Sequence, residues 1–198
     1  MKTTELNKQT NAVEAHSRIE WRNWLCLHHR TATSVWLIIY HKDSNQKSVY
    51  YDEAVEEALC FGWIDSKPNK RDDNSYYLFF APRKPKSNWS KANRERAEKM
   101  IEAGLMTDAG LDLINLAKNT GTWLALEDVQ NEVLPSDLEQ ALSVNKIAFN
   151  HFMSFPPSSK RIILEWILNA KRPETRAKRI EETVQLAEKN IKANHYRQ

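Results

Sequence analysis

The chain has 198 residues, 41% of them hydrophobic, and only four Gly and two Cys. That is enough apolar material for one ordinary core and too few cysteines for a disulfide framework. A formal charge of only +3 argues against a general nucleic-acid binder, and the longest apolar run, Val35–Tyr40, is far too short to cross a bilayer.

The opening MKTTELNKQTNAVEAHS is polar and lacks the apolar stretch of a signal peptide, so a soluble cytoplasmic protein is expected. Residues 1–11 read as a flexible tail. From Val13 the spacing turns helical, with Trp21, Trp24, Leu25 and His28 on one face. SVWLIIYHK follows; its β-branched and aromatic residues do not alternate with polar ones, so Val35–Tyr40 reads as a strand buried on both faces. Asp52–Cys60 returns to helical spacing, with acids in its first turn and Gly62 just past its end. Trp63–Lys70 and Ser75–Pro82 read as a hairpin around the turn Arg71–Asn74.

Ser90 is placed to cap a helix that runs to Ala103 and ends at Gly104. Thr107 opens the next helix and Gly121 closes it. Residues 122–134 are acidic and irregular and read as a linker. Shorter helices are expected from Ser136 to Leu142 and from Asn145 to Met153, and a longer one from Ser158 to Ala170. Pro173 suits the first turn of the last helix, whose seam of Ile180, Val184, Ala187 and Ile191 should pack on the preceding helix. The expected fold is α+β. A small antiparallel sheet packs on helices within residues 12–121, and a mainly helical region, 135–198, packs on that body.

Charge is distributed unevenly. Residues 61–100 and 157–198 are each net +5, and residues 101–156 between them are net −6. The basic blocks either share a basic face or neutralise the acidic middle.

The first basic block holds the main candidate site. Phe61-Gly62-Trp63-Ile64-Asp65 puts a carboxylate beside aromatic rings. Trp63 either floors a pocket or fills the core, and Asp65 either meets a ligand or pairs with a nearby Arg. In PRKPKSNWSKANR, residues 82–94, the prolines hold the chain extended ahead of a helix N-terminus. The unpaired N–H groups there attract anions, with Arg83, Ser90, Asn93 and Arg94 beside them and Trp89 available to stack a planar group. The alternative is a capped helix start with solvated charges. In the second block Arg172, Arg176 and Arg179 fall on one helix face and are answered either by the acidic segment or by an anionic partner.

Phosphate-loop and nucleophile-elbow motifs are missing. Cys26-x-His28-His29 cannot point all its ligands to one spot from a helix. No cofactor and no metal are expected, and Cys26 and Cys60 read as small buried hydrophobes. Glu53, Glu56 and Glu57 read as a solvated helix surface.

ALCFGWIDS (58–66), APRKPKSNWSKANRERAEKMIEAGLMTDAGL (81–111) and AKRPETRAKRI (170–180) resemble the YdeI/OmpD-associated family, also called bacteriocin-protection proteins. The resemblance runs from about Trp21 to Leu186. It implies a role in stress or antimicrobial-peptide tolerance and association with an outer-membrane porin, and it carries over no catalytic residue. Porin association fits poorly with a chain lacking an export signal. The leading expectation is a non-catalytic binding module for an anionic small molecule or a peptide, with a protein partner allowed. The alternatives are a small enzyme with Asp65 as base and Arg83 as anion clamp, and nucleic-acid binding through the two basic clusters.

Overall fold

The computed structural model describes residues 12–195, and the chain divides into two units between Leu124 and Ala125. The expected tail, residues 1–11, lies outside the described residues.

The first unit is built on a sheet in the order β1-β2-β5-β3, with a short β4 also paired to β5. Strand β2 (Val35–Tyr40) has the predicted bounds. Val35, Leu37, Ile38 and Ile39 are buried, and Trp36 and Tyr40 are half-buried. It pairs antiparallel with β5 (Ser75–Pro82) along its whole length, from Val35 opposite Phe80 to Tyr40 opposite Ser75. The sheet is mixed rather than purely antiparallel, because β1 (Ala12–Glu14) runs parallel to β2. Three residues carry no readable alternation, so this strand, where helical spacing is expected to begin, owes its existence to its neighbour.

The expected strand Trp63–Lys70 is two pieces, β3 (Trp63–Asp65) and β4 (Asn69–Lys70), both antiparallel to β5. Pro68 stands between them and has no N–H to give the ladder.

Helix α1 (Arg18–His28) is capped by Ser17 and carries Trp21 into the core. That ring stacks on Trp24 at 5.3 Å, meets Phe80 at 5.2 Å, and donates its N–H to Ala54 O at 3.0 Å. Helix α2 (Tyr51–Cys60) is buried from Ala54 onward. Glu56 and Glu57 are not a solvated surface: they are 5% and 1% exposed. Arg18, Arg22 and Lys99 neutralise them at 2.5–2.8 Å. Periodicity marked the positions as helical, but the cations that let acids sit inside come from other helices. Helices α3 (Lys91–Glu102) and α4 (Asp108–Thr120) complete the unit.

The two cysteines differ. Cys60 is buried as expected, and Cys26 is exposed, because its position on α1 turns away from the face that carries Trp21 and Leu25. His28 lies against Trp24 at 4.9 Å, while His29 Nδ1 lies 2.9 Å from Leu25 O.

The second unit is helical: α5 (Glu127–Gln130), α6 (Ser136–Ser143), α7 (Lys146–Ser154), α8 (Pro157–Leu168) and α9 (Pro173–Glu188). Leu138, Leu142, Phe152, Ile163, Leu164 and Ile167 form its core. The seam of α9 packs on α7 and α6 as well as on the preceding helix α8, with Ile180, Thr183 and Ala187 buried. Leu126 and Val129 also belong to this core, so the interval read as a linker contributes packing. Among the described residues, no helix is long and apolar enough to cross a membrane.

Candidate functional site

The site read from the sequence begins where α2 stops. Gly62 adopts φ +75°, and a Cβ there would stand 2.9 Å from Leu113 Cδ1 and 3.0 Å from Ala109 O. Only glycine turns the chain from α2 into β3 in that space. Gly62 O also receives the N–H of Arg83 at 2.9 Å, which ties the end of β5 to the start of β3.

Three of the expected site residues lie in the interior. Trp63 is 1% exposed and Trp89 3%. The Trp63 indole donates to His29 O at 3.1 Å and meets Trp24 edge-on at 6.0 Å, so it serves the core. Trp89 packs on Trp123 at 4.9 Å, and its backbone N–H donates to Thr122 O. The third is Arg83, 7% exposed, with its guanidinium 3.9 Å from the centroid of the Trp89 ring. Its Nη2 donates to Asn88 O at 2.5 Å, and its Nε is buried without a partner among the described residues.

Burial pulls the Arg83 guanidinium down from its ordinary value to about 10, against the opposing pull of the Asp65 charge. A cation taken out of water with its donors incompletely answered is costly. Here the stacked indole and the nearby carboxylate offset part of that cost.

The remaining members are half-buried. Asp65, in β3 opposite Phe80, accepts the Tyr51 hydroxyl at 2.9 Å. Ser90 is the N-cap of α3 and takes the Asn93 N–H at 3.3 Å, and Arg94 N–H reaches Ser90 O at 3.0 Å. Asn93 Oδ1 accepts from Arg96 at 3.1 Å, and Arg96 also binds Asp52 at 2.7 Å with its guanidinium 5.7 Å from the centre of the Tyr51 ring.

Tyr51, Asp52 and Arg96 thus join the group although sequence reading missed them. Tyr51 and Asp52 open α2 and Arg96 sits inside α3, so only packing brings them to Asp65 and Asn93. The turn that presents Trp89 is local: Ser87 N–H and Oγ both reach Lys84 O.

Burial and the Asp65 carboxylate raise the Tyr51 phenol to about 12. Its folded value therefore lies above the unfolded one near 10, so the stability it contributes is complete below pH 10 and lost as pH rises to about 12. In an absorbance titration at high pH, Tyr51→Phe is expected to remove a phenolate transition near pH 12. An unchanged titration would separate Tyr51 from Asp65.

The second cluster belongs to the other unit, where the acidic segment answers one of its members, Arg176. Arg176 makes a two-pronged bond to Asp137 at 2.6 and 2.8 Å. Arg179 donates to Trp166 O, with its guanidinium 5.0 Å from the centre of that ring. Arg172 is exposed at the N-cap of α9.

Searches of curated proteins and of solved structures returned no match. Two family profiles do match. One, described as a domain of unknown function (DUF8412), covers residues 13–113, which include the motifs at 58–66 and 81–111. The other, described as Bacteriocin-protection, YdeI or OmpD-Associated, covers residues 132–190, which include the motif at 170–180. The expected resemblance thus holds through the second unit, and a different profile matches the first. The chain belongs to the DUF8412 family, whose profile spans just over half its length, and its second unit carries a match to the profile described as Bacteriocin-protection, YdeI or OmpD-Associated.

Proposed function

We propose that the protein is a non-catalytic binding module whose first unit holds an anionic group, a phosphate or a peptide carboxylate, against Arg83 at the start of α3. The observation that carries this reading is the state of Arg83: a buried guanidinium stacked on Trp89, with a buried Nε lacking a partner among the described residues. Its guanidinium donates to Asn88 O, two residues ahead of the Ser90 cap, where the first backbone N–H groups of a helix favour negative charge. A charge-assisted bond to an anion answers both the cation and its spare donor.

The test is calorimetric titration with inorganic phosphate and with a dipeptide bearing a free carboxylate, at low salt. Wild type is expected to bind one of them, and Arg83→Met to lose at least about tenfold, or 1.4 kcal/mol. Without ligand, Arg83→Met should be within about 1 kcal/mol of wild type in stability, because removing a poorly answered buried charge offsets the lost stacking. Equal binding by the variant, or no binding by wild type, overturns the reading. A large loss of stability in Arg83→Met would mark Arg83 as purely structural.

One observation favours a second reading. The Tyr51 hydroxyl orients Asp65 beside the Arg83 charge, which suits a small enzyme with Asp65 as base and Arg83 as anion clamp. That reading requires a turnover that Asp65→Asn abolishes with the fold intact.

For the cellular role we propose stress or antimicrobial-peptide tolerance, exerted from the cytoplasm. Its support is the description of the family matching residues 132–190. Deletion of the gene should then lower survival under bacteriocin challenge, and cell fractionation should recover the protein with the cytoplasm.

A further inference from the structure

The second unit carries an apolar groove between α6 and α9, with a volume of about 600 Å³. Ala141, Val144, Pro173, Ala177, Ile180 and Val184 line it. Val144 stands at its lip and is 86% exposed. Three residues further along the chain, Ile147, in the first turn of α7, is 57% exposed. An apolar groove that stays open to solvent marks a candidate contact site. Ala141 and Ala177 present small side chains to the groove, so the two helices do not fill the space themselves, and Ile180 is its buried member.

The charges lining the groove select its occupant. Asp137 and Arg176 neutralise each other through their two-pronged bond. Arg176 holds the Asp137 carboxyl below its ordinary range, so the pair stays closed at neutral pH. The remaining charge in the lining is Glu181. It accepts from Gln185 Nε2 at 3.1 Å, and among the described residues no cation makes an ion pair with it. The groove is therefore apolar along its floor and net negative at its edge.

We propose that this groove docks a cationic amphipathic peptide, with apolar side chains seated over Ala141, Ala177 and Ile180 and a Lys or Arg meeting Glu181. Two helices bounding an open apolar trough suit a helical peptide presenting side chains one turn apart. This site is separate from Arg83 and does not rest on the anion-binding reading.

The experiment is fluorescence anisotropy with a labelled Leu/Lys amphipathic peptide and a Leu/Glu peptide of the same pattern. The Leu/Lys peptide is expected to bind with roughly micromolar affinity, and the Leu/Glu peptide not to bind. Val144→Asn, which removes the apolar lip, and Glu181→Lys, which reverses the edge charge, should each weaken binding about tenfold or more. Both positions are exposed, so both variants should fold, and either alone still decides the question. Arg83→Met should bind the peptide as wild type does, so failure here is distinguishable from failure of the anion site. The proposal is overturned if the Leu/Lys peptide does not bind, if the Leu/Glu peptide binds equally, or if both variants keep full affinity. A dimer in sedimentation that Glu181→Lys dissolves would assign the groove to a second copy of the chain and equally overturn it.

Discussion

Gly110→Ala is expected to destabilise the first unit by about 3 kcal/mol, the upper end for overpacking a core. Gly110 lies in the first turn of α4, where that helix crosses the end of α2. A Cβ at this position would stand 2.5 Å from Cys60 O and 2.8 Å from Leu59 O. Both are backbone atoms, so no rotamer change relieves the clash. The helices cannot simply separate, because Thr107 ties the same carbonyl, its Oγ1 reaching Cys60 O at 2.6 Å and its N–H reaching it at 3.2 Å. Gly104 supplies the comparison. It has φ +67° with nothing within 4 Å of an added Cβ, so Gly104→Ala should cost only the left-handed backbone term, roughly 1–2 kcal/mol. Six of the seven tryptophans precede residue 125, so tryptophan fluorescence in urea reports chiefly on the first unit. Equal midpoints for the two variants would refute the close-approach argument.

Glu57→Ala is the second large effect, a loss of about 3 kcal/mol. Both Glu57 oxygens are engaged, one by Arg18 Nε at 2.6 Å and the other by Arg22 Nη1 at 2.5 Å. Removing the carboxylate leaves two guanidinium groups without their main partner. Their side chains are 31% and 24% exposed and can turn partly into water, which keeps the effect at the lower end for a broken buried pair. Arg22→Met is the milder lesion. Glu57 keeps Arg18, the new side chain fills similar space, and the expected loss is about 1–2 kcal/mol. Thermal unfolding of the two variants should rank them in that order. If Arg22→Met proves the more damaging, the network is centred on Arg22 and its bond to Leu105 O rather than on Glu57.

Both predictions concern contacts that frame the candidate site from behind. The Gly110 crossing and the Gly62 turn fix where β3 begins, and so where Asp65 stands. The Glu56 and Glu57 pairs join α1, α2 and α3, which sets the distance between Tyr51 and Arg96. A variant that loosens this frame should therefore weaken ligand binding together with stability, whereas Arg83→Met should separate the two.

Helix limits were legible because capping is local chemistry. Ser90, Gly121 and Pro173 sit at helix ends as read; the first two meet backbone groups within a turn of themselves, and Pro173 opens α9 where its missing N–H costs no helical bond. Thr107 is instructive in a different way. It occupies the expected position, but its hydroxyl makes no cap bond and goes to Cys60 O, a partner 47 residues away. The candidate site was legible in part for the same reason. Arg83, Trp89, Ser90 and Asn93 are close in sequence and stay close in space. The partners from α2, Tyr51 and Asp52, could not be read from that segment.

The sequence by itself determined the α+β class, the run of β2 and the helix ends. These depend on periodicity and on backbone groups satisfied nearby. The tertiary structure alone decided that Arg83 and Trp89 lie inside, that Glu56 and Glu57 are buried and paired, that Cys26 faces water and that β1 joins the sheet in parallel. Burial and ion pairing are set by partners distant in the chain, and a residue's own neighbours in sequence carry no record of which those will be.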